Sequence, residues 1–143
     1  MRLTYRNDLA ELDRIAADLA AFATQHSLGA DTAHVFNLCL DEIFTNIVSY
    51  GYTDKNAHEV FLELTVTPVE VTAVIRDDAR PFDPLTEAPA PDFDSPIEDR
   101  RIGGLGVHFL KTLMTRVAYR REGDWNVLEM ARTRNAPGPA AGS

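Results

Sequence analysis

Residues 38–52 read LCLDEIFTNIVSYGY, and this stretch decides the fold because it predicts a long helix that packs on two sides. At about 100° per residue, two roughly opposite stripes follow this helix. One stripe is apolar throughout and consists of Phe36, Leu40, Ile43 and Ile47. The other ends on two polar groups and consists of Val35, Cys39, Glu42 and Asn46. Since an unpaired buried carboxylate is costly, something polar should meet the end of the second stripe.

The Glu42–Asn46 pair suits a site for metal-bound phosphate and an attacking hydroxyl. The carbonyl oxygen of Asn46 can join a hydrated Mg²⁺ without adding charge. Glu42, one turn earlier, can orient or deprotonate a nucleophile. A solvated Glu–Asn pair on a helix edge is the alternative interpretation of this spacing taken alone.

A second motif follows an alternating apolar strand: residues 77–84 read DDARPFDP. At the end of that strand, Asp77 can accept a hydrogen bond from an exocyclic amine such as N6 of adenine. Pro81 and Phe82 stiffen the loop and offer an apolar wall, and the following Asp-Pro pair turns the chain. An acidic turn without a ligand is the alternative.

A third motif opens a predicted helix with the residues Gly103, Gly104, Leu105 and Gly106. Glycines allow close backbone approach, and the free N–H groups at a helix start attract an anion. Arg100 and Arg101 stand just before this motif and can reach phosphates. A flexible hinge before a helix is the alternative.

Periodicity and turn residues place these motifs in an α+β fold. We predict a strand at 3–6, helices at about 8–26 and 31–50, and a hairpin of strands 60–66 and 69–76. A helix at 104–114 and a hairpin of strands 117–121 and 125–133 follow. Asn7 or Asp8 is expected to cap the first helix, with Leu9 on its apolar side, and Asp31 or Thr32 to cap the second. Since hairpins dominate, the predicted architecture is a two-layer sandwich. It has a mixed, mostly antiparallel sheet with helices on one face.

The bulk composition narrows the class of protein. The 143 residues suit one domain at 1–134, with a lid at 84–103 and a disordered tail at 135–143. A net charge of −8 argues against a nucleic-acid binder. The single cysteine, Cys39, excludes an internal disulfide and fits a small core residue. Without an apolar segment that suits a membrane span or a signal peptide, the protein is expected in the cytoplasm.

The ordered set of motifs resembles the Bergerat-type ATP-binding fold of the GHKL superfamily. The likeness covers residues 5–133 and is greatest to the small bacterial anti-sigma factor serine/threonine kinases. The resemblance implies that Glu42 is the catalytic base and Asn46 the Mg²⁺ ligand. It also implies that residues 77–84 read the adenine of ATP, that Gly104 and Gly106 form the Gly-x-Gly at the end of the lid, and that residues 126–130 (NVLEM) belong to the closing strand.

The same resemblance implies a partner and a reaction. ATP would phosphorylate a serine or threonine of a STAS-domain anti-sigma factor antagonist, and a homodimer would sequester a sigma factor without touching nucleic acid or a membrane. Two alternatives are a non-catalytic binding module of the same fold and the ATP-binding half of a histidine kinase. The 4 histidines have no phospho-acceptor context, which disfavours the histidine kinase.

One position departs from the family pattern: Ala79 stands where the adenine motif usually has glycine. A methyl group is tolerated there if the local φ is negative. If it points towards the base, it crowds adenine and weakens ATP binding.

Overall fold

The computed structural model describes residues 1–87 and 110–134. The chain forms β1 (Arg2–Arg6), α1 (Leu12–Gln25), α2 (Ala30–Tyr50), β2 (Glu59–Val66), β3 (Glu70–Asp77), α3 (Pro84–Glu87), β4 (Arg116–Glu122) and β5 (Trp125–Thr133). A 3-10 turn (Leu9–Glu11) precedes α1, and residues 110–113 are helical. The predictions for Arg100, Arg101, the glycine motif 103–106, most of the lid and the tail 135–143 lie outside the described residues.

The strands form one sheet in the order β1-β2-β3-β5-β4. Every pairing in the described ranges is antiparallel, so the predicted α+β sandwich is confirmed with an antiparallel rather than a mixed sheet. Tight turns join two of these pairs, β2 with β3 and β4 with β5. Thr67 Oγ1 accepts hydrogen bonds from the backbone N–H groups of Val69 and Glu70 at the β2–β3 turn. Gly123 takes φ 61° at the β4–β5 turn, a conformation that favours glycine.

The core lies between the two long helices and one face of the sheet. Strands β2 and β3 contribute alternate residues to it, as the period of two predicts. These buried residues are Val60, Leu62, Leu64, Val71, Ala73 and Ile75. The helices contribute Ile15, Leu19, Phe22, Val35, Phe36, Leu40, Ile43 and Phe44. No helix in the described ranges has the length and apolar character needed to cross a membrane.

Helix α2 is buried on both predicted stripes, which agrees with the sequence pattern. Val35 and Cys39 are 0% exposed, and Glu42 and Asn46 at the end of that stripe are half-buried. Burial raises the pKa of the Cys39 thiol to about 12, so the side chain is an inert core group. The expectation of a small core residue is therefore confirmed.

The helix ends differ from the predicted ones. Asp8 accepts a hydrogen bond from Ala10 N, but it caps the 3-10 turn rather than α1. Leu9, expected on the apolar side of the first helix, is 44% exposed because it lies in this turn. The N-cap of α2 is Gly29, not Asp31 or Thr32, and no side chain caps it. Ser27, with φ 54°, provides the left-handed residue after α1.

The described residues on either side of 88–109 contact one another. Pro84–Glu87 form a helical turn where the sequence predicts loop. Leu110 is fully buried in the core, and Lys111 Nζ donates a hydrogen bond to Leu85 O at 2.6 Å. The buried Arg132 of β5 donates to Leu113 O at the end of the 110–113 helical segment. A cation at a helix C-terminus is favourable, because the free carbonyls there are partly negative.

Candidate nucleotide site

Asp77 lies at the end of β3 with one carboxylate oxygen anchored and the other available. Oδ1 accepts hydrogen bonds from Asn126 Nδ2 at 2.9 Å and from Ala79 N at 3.1 Å. Within the described ranges, Oδ2 has no hydrogen-bond partner, so it can accept a bond from a ligand amine. Burial raises the pKa of Asp77, and the bonds from Asn126 and Ala79 oppose that rise. The predicted role of Asp77 as an adenine reader fits this arrangement.

The side-chain amide of Asn126 in β5 holds residues 77–82 of the predicted adenine motif (77–84) together. Its Nδ2 also donates to Arg80 O at 2.9 Å. Its Oδ1 accepts from Tyr119 Oη at 2.5 Å, Arg121 Nη1 at 3.2 Å and Phe82 N at 3.3 Å. Both the nitrogen and the oxygen of this side-chain amide are therefore hydrogen-bonded, as is usual for a buried polar group.

Sequence reasoning missed Asn126, and with it the two β4 side chains that contact it. The strand register explains why these groups meet: Asn126 lies opposite Asp77, and Arg121 lies opposite Asn126. The available signal was a polar amide directly before the apolar pair Val127 and Leu128. That signal does not say which neighbouring strand the amide faces.

The adenine motif also contacts the end of α2. Arg80 N donates to Gly51 O at 3.1 Å, and Arg80 Nε donates to Tyr50 O at 3.0 Å. Helix α2 has no basic residue in its own last turn, so Arg80 supplies the favourable positive charge from another part of the chain. The Arg80 guanidinium lies 5.4 Å from the centroid of the Phe82 ring. Pro81 is exposed and Phe82 half-buried.

The methyl group of Ala79 packs against α2. Among the described non-glycine residues only Ser27 has positive φ, so Ala79 has an ordinary backbone conformation. Ala79 is 4% exposed. A Cβ added to Gly51 would lie 2.7 Å from the Ala79 Cβ, so the absence of a side chain at Gly51 makes room for this methyl. The methyl therefore fills space beside the helix end.

Glu42 and Asn46 lie one turn apart on the same α2 that supports the adenine motif. Residues at this spacing have Cβ atoms about 5–6 Å apart. Neither side chain has a hydrogen-bond partner within 1–87 and 110–134, and both are half-buried. Burial raises the pKa of Glu42, and the neighbouring Asp41 adds to the rise. A carboxylate with a raised pKa is a stronger base, which suits proton abstraction.

The comparisons with known proteins decide the family. A family model described as the histidine kinase-like ATPase domain matches residues 5–132. The chain belongs to this family. The ATP-binding GHKL family expected from the three motifs is thereby confirmed, and membership in an ATPase domain family implies that the chain binds ATP.

Two relatives illustrate the likeness. The serine/threonine-protein kinase BtrW of Bordetella bronchiseptica is 33% identical over 93 residues, which are 65% of this chain and 65% of that protein. The histidine kinase domain of the blue-light activated histidine kinase EL346 from Erythrobacter litoralis superposes with a TM-score of 0.52 at 18% identity. That match covers 87% of this chain and 59% of the other. At this identity, the structural match shows a shared fold.

Replacing Ala79 with glycine is expected to leave ATP affinity unchanged or slightly weaker. The change removes a packed methyl and loosens the backbone, which should lower the free energy of unfolding by about 0.5–1 kcal/mol. Gly51→Ala should cost more than about 1 kcal/mol, since its Cβ would lie 2.7 Å from Ala79 Cβ and 2.5 Å from Ile47 O. Gly29→Ala is the control, because no atom of the described residues beyond its chain neighbours lies within 4 Å of its added Cβ. Urea unfolding measures the free energy of unfolding, and calorimetric titration measures the affinity for ATP. Tighter ATP binding by Ala79→Gly would show that the methyl crowds the base.

Proposed function

We propose that the protein is an Mg²⁺-dependent serine/threonine kinase of the anti-sigma factor type that uses ATP. The observation that supports this most directly is the pair of half-buried polar side chains, Glu42 and Asn46, one turn apart on the helix that supports the Asp77 loop. The raised pKa of Glu42 adds to it. The printed name of the 33% identical relative, a serine/threonine-protein kinase, supports the same reaction class.

The order of groups along α2 matches the order of groups in ATP. The adenine motif contacts Tyr50 and Gly51 at the end of the helix. Asn46 lies about 7 Å further back along the helix axis and Glu42 about 6 Å beyond it. A nucleotide with its base at Asp77 would extend its phosphates along the helix towards this pair.

The residues present fit a magnesium ion held mainly by phosphates and water. The described part of the chain has no group of three or more His, Cys, Asp or Glu side chains that could hold a metal ion. Mg²⁺ keeps several waters and needs one or two protein oxygens beside substrate phosphates, so the amide oxygen of Asn46 is a sufficient protein ligand. The ion would neutralise charge on the phosphates.

The proposed partner is a STAS-domain anti-sigma factor antagonist, whose serine or threonine hydroxyl Glu42 would deprotonate. We further propose that a homodimer of this chain sequesters a sigma factor in the cytoplasm. The motif resemblance supports these partners. A net charge of −8 supports a protein rather than a nucleic-acid target.

Incubation with radiolabelled ATP, Mg²⁺ and STAS proteins encoded in the same genome tests this proposal. Label on a serine or threonine of one STAS protein, stable to acid, is the expected result. ATP binding with no transfer to any STAS protein would favour the non-catalytic module. Acid-labile label on a histidine would favour a histidine kinase reaction.

Asn46→Ala is expected to make ATP binding insensitive to magnesium. The change removes the neutral oxygen that would bind the ion, while Asp77 and its loop are untouched. ATP affinity should be measured by calorimetry with Mg²⁺ and with EDTA, and Asn37→Ala, an exposed asparagine on the same helix, is the control. If Asn46→Ala and the unchanged protein respond equally to Mg²⁺, Asn46 is not a ligand.

A further inference from the structure

Four side chains form a cluster directly behind the adenine motif, and no step of the proposed reaction uses them. This latch cluster consists of Tyr52, Asp54 and His58 from the α2–β2 loop, and Asp78 after β3. The rings of Tyr52 and His58 stack, with centroids 4.3 Å apart and planes inclined by 19°. Tyr52 Oη donates to Asp78 Oδ1 at 3.0 Å. His58 Nδ1 lies 3.3 Å from Asp78 Oδ2, and His58 Nε2 lies 2.8 Å from Asp54 Oδ1.

These contacts tie Asp78 to a fixed point of the fold. Both Asp78 oxygens are bonded to the α2–β2 loop. The backbone of His58 is itself anchored, because its N–H donates to Asn7 Oδ1 at 2.9 Å and its carbonyl accepts from Asn7 N at 3.0 Å. Since Asp78 directly follows Asp77, holding its carboxylate restricts the backbone that aims Asp77.

The protonation state of His58 decides how many of these bonds form. A charged imidazolium donates from both ring nitrogens, whereas a neutral ring donates from one and presents a lone pair on the other. Both ring nitrogens of His58 face carboxylate oxygens. Loss of the proton therefore turns one of the two bonds into a contact between a lone pair and a carboxylate.

We propose that His58 is a positioning residue whose charged form locks the Asp77–Asp78 loop, so that the loop loosens and nucleotide affinity falls when His58 loses its proton. The effect should be modest, because Asn126 and Ala79 N hold Asp77 independently. The inference about affinity rests on the proposed nucleotide site, whereas the inference about the loop does not.

The charges around His58 favour its protonated, locked state. The hydrogen bond to Asp54 raises the pKa of His58, as does that to Asp78, and partial burial opposes the rise. Tyr52 stays neutral, since burial and its bond to Asp78 raise its pKa. The cleft beside His58 is also lined by charges of both signs, which are Arg6, Glu11, Arg14 and Glu59. Of these, Arg14 and Glu11 pair with each other at 3.0 Å.

The pH window follows from the directions of the shifts. Because the folded pKa of His58 is raised, its stabilising contribution is complete below about pH 6.5 and is lost as pH rises through the folded pKa. The hydrogen bond to His58 lowers the pKa of Asp54, so the Asp54 contribution is present above about pH 4. It is lost as pH falls through the folded pKa of Asp54. The latch cluster is thus fully bonded when Asp54 is ionised and His58 is protonated, which is between the folded pKa of Asp54 and the folded pKa of His58.

Amide hydrogen exchange without nucleotide tests the lock itself. After correction for intrinsic rates, exchange at Ala79 and Arg80 should accelerate by about two- to fivefold between about pH 6 and pH 8.5, the range expected for a partly exposed ion pair. His58→Gln should exchange quickly at both pH values. His34→Gln, which changes an exposed histidine on α2, should behave like the unchanged protein. Equal pH dependence in His58→Gln and the unchanged protein would overturn the proposal.

Two further measurements keep the test decisive. Asp54→Asn, at a side chain that is 45% exposed, should fold normally and lower the pKa of His58 followed by NMR. An unchanged His58 titration in this variant would count against the latch.

ATP affinity should fall about two- to fivefold over the same pH range in the unchanged protein. In His58→Gln, ATP affinity should change only as far as the titration of ATP itself requires. If no ATP binds at any pH, the proposed function fails, while the exchange data still decide whether His58 locks the loop.

Discussion

Replacing Glu42 with glutamine is expected to lower the rate of phosphoryl transfer by about 10²–10⁴-fold while ATP binding largely survives. Glutamine keeps the size of the side chain and removes its basicity. The change leaves Asp77, the proposed adenine-binding residue, and the amide of Asn46 in place. Single-turnover transfer from ATP to the proposed STAS-domain partner measures the rate, and calorimetry measures the affinity. Transfer at an unchanged rate would exclude Glu42 as the base.

The pH dependence of transfer gives a second readout for the same residue. Burial raises the pKa of Glu42, so the active carboxylate form is lost as pH falls through that raised pKa. Asp41→Asn is the matched control, because Asp41 is the exposed neighbour whose charge adds to this rise. It should keep nearly full activity and shift the acidic limb of the profile to lower pH. An acidic limb that does not move would contradict the assignment of that limb to Glu42.

The largest expected effect on stability is that of Asn126→Leu. The change removes both donors to Asp77 and Arg80 O, and it removes the amide oxygen to which the hydroxyl of Tyr119 and the N–H of Phe82 donate. We expect the free energy of unfolding to fall by about 2–4 kcal/mol, since each buried polar group left unpaired costs about 1–3 kcal/mol. ATP affinity should fall at least about tenfold, because Asp77 loses its orientation.

The variant Asn126→Asp tests whether Asn126 acts through its hydrogen bond to Asp77 or only through the packing of its side chain. It places a second carboxylate against Asp77 Oδ1, which now receives a hydrogen bond of 2.9 Å from Asn126. Two carboxylates at this distance raise one pKa strongly, so the variant should be much less stable at pH 7 than at about pH 5. Urea unfolding at both pH values measures this, with Asn37→Ala as the control. A pH-independent loss would indicate that only packing is involved at this position.

The sequence pattern alone predicts most of the helices and strands, including the helix that carries Glu42 and Asn46. The 3.6-residue period placed Glu42 and Asn46 on one side of α2, and the alternation of Val60, Leu62 and Leu64 placed β2 against the core. Such patterns depend only on the geometry of one helix or strand, so they can be recognised without knowing which segments pack against it. The ordered motifs were also sufficient to name the family, since each occupies a fixed place along the chain.

Tertiary structure alone decided how the adenine motif is supported. Nothing local to residues 77–84 predicts that Asn126 fixes Asp77, that Arg80 covers the end of α2, or that Gly51 makes room for the Ala79 methyl. Each of these contacts joins residues far apart in the chain, through strand register or helix docking. Propensity and spacing describe one segment at a time, and they contain no information about which partner completes a buried polar group.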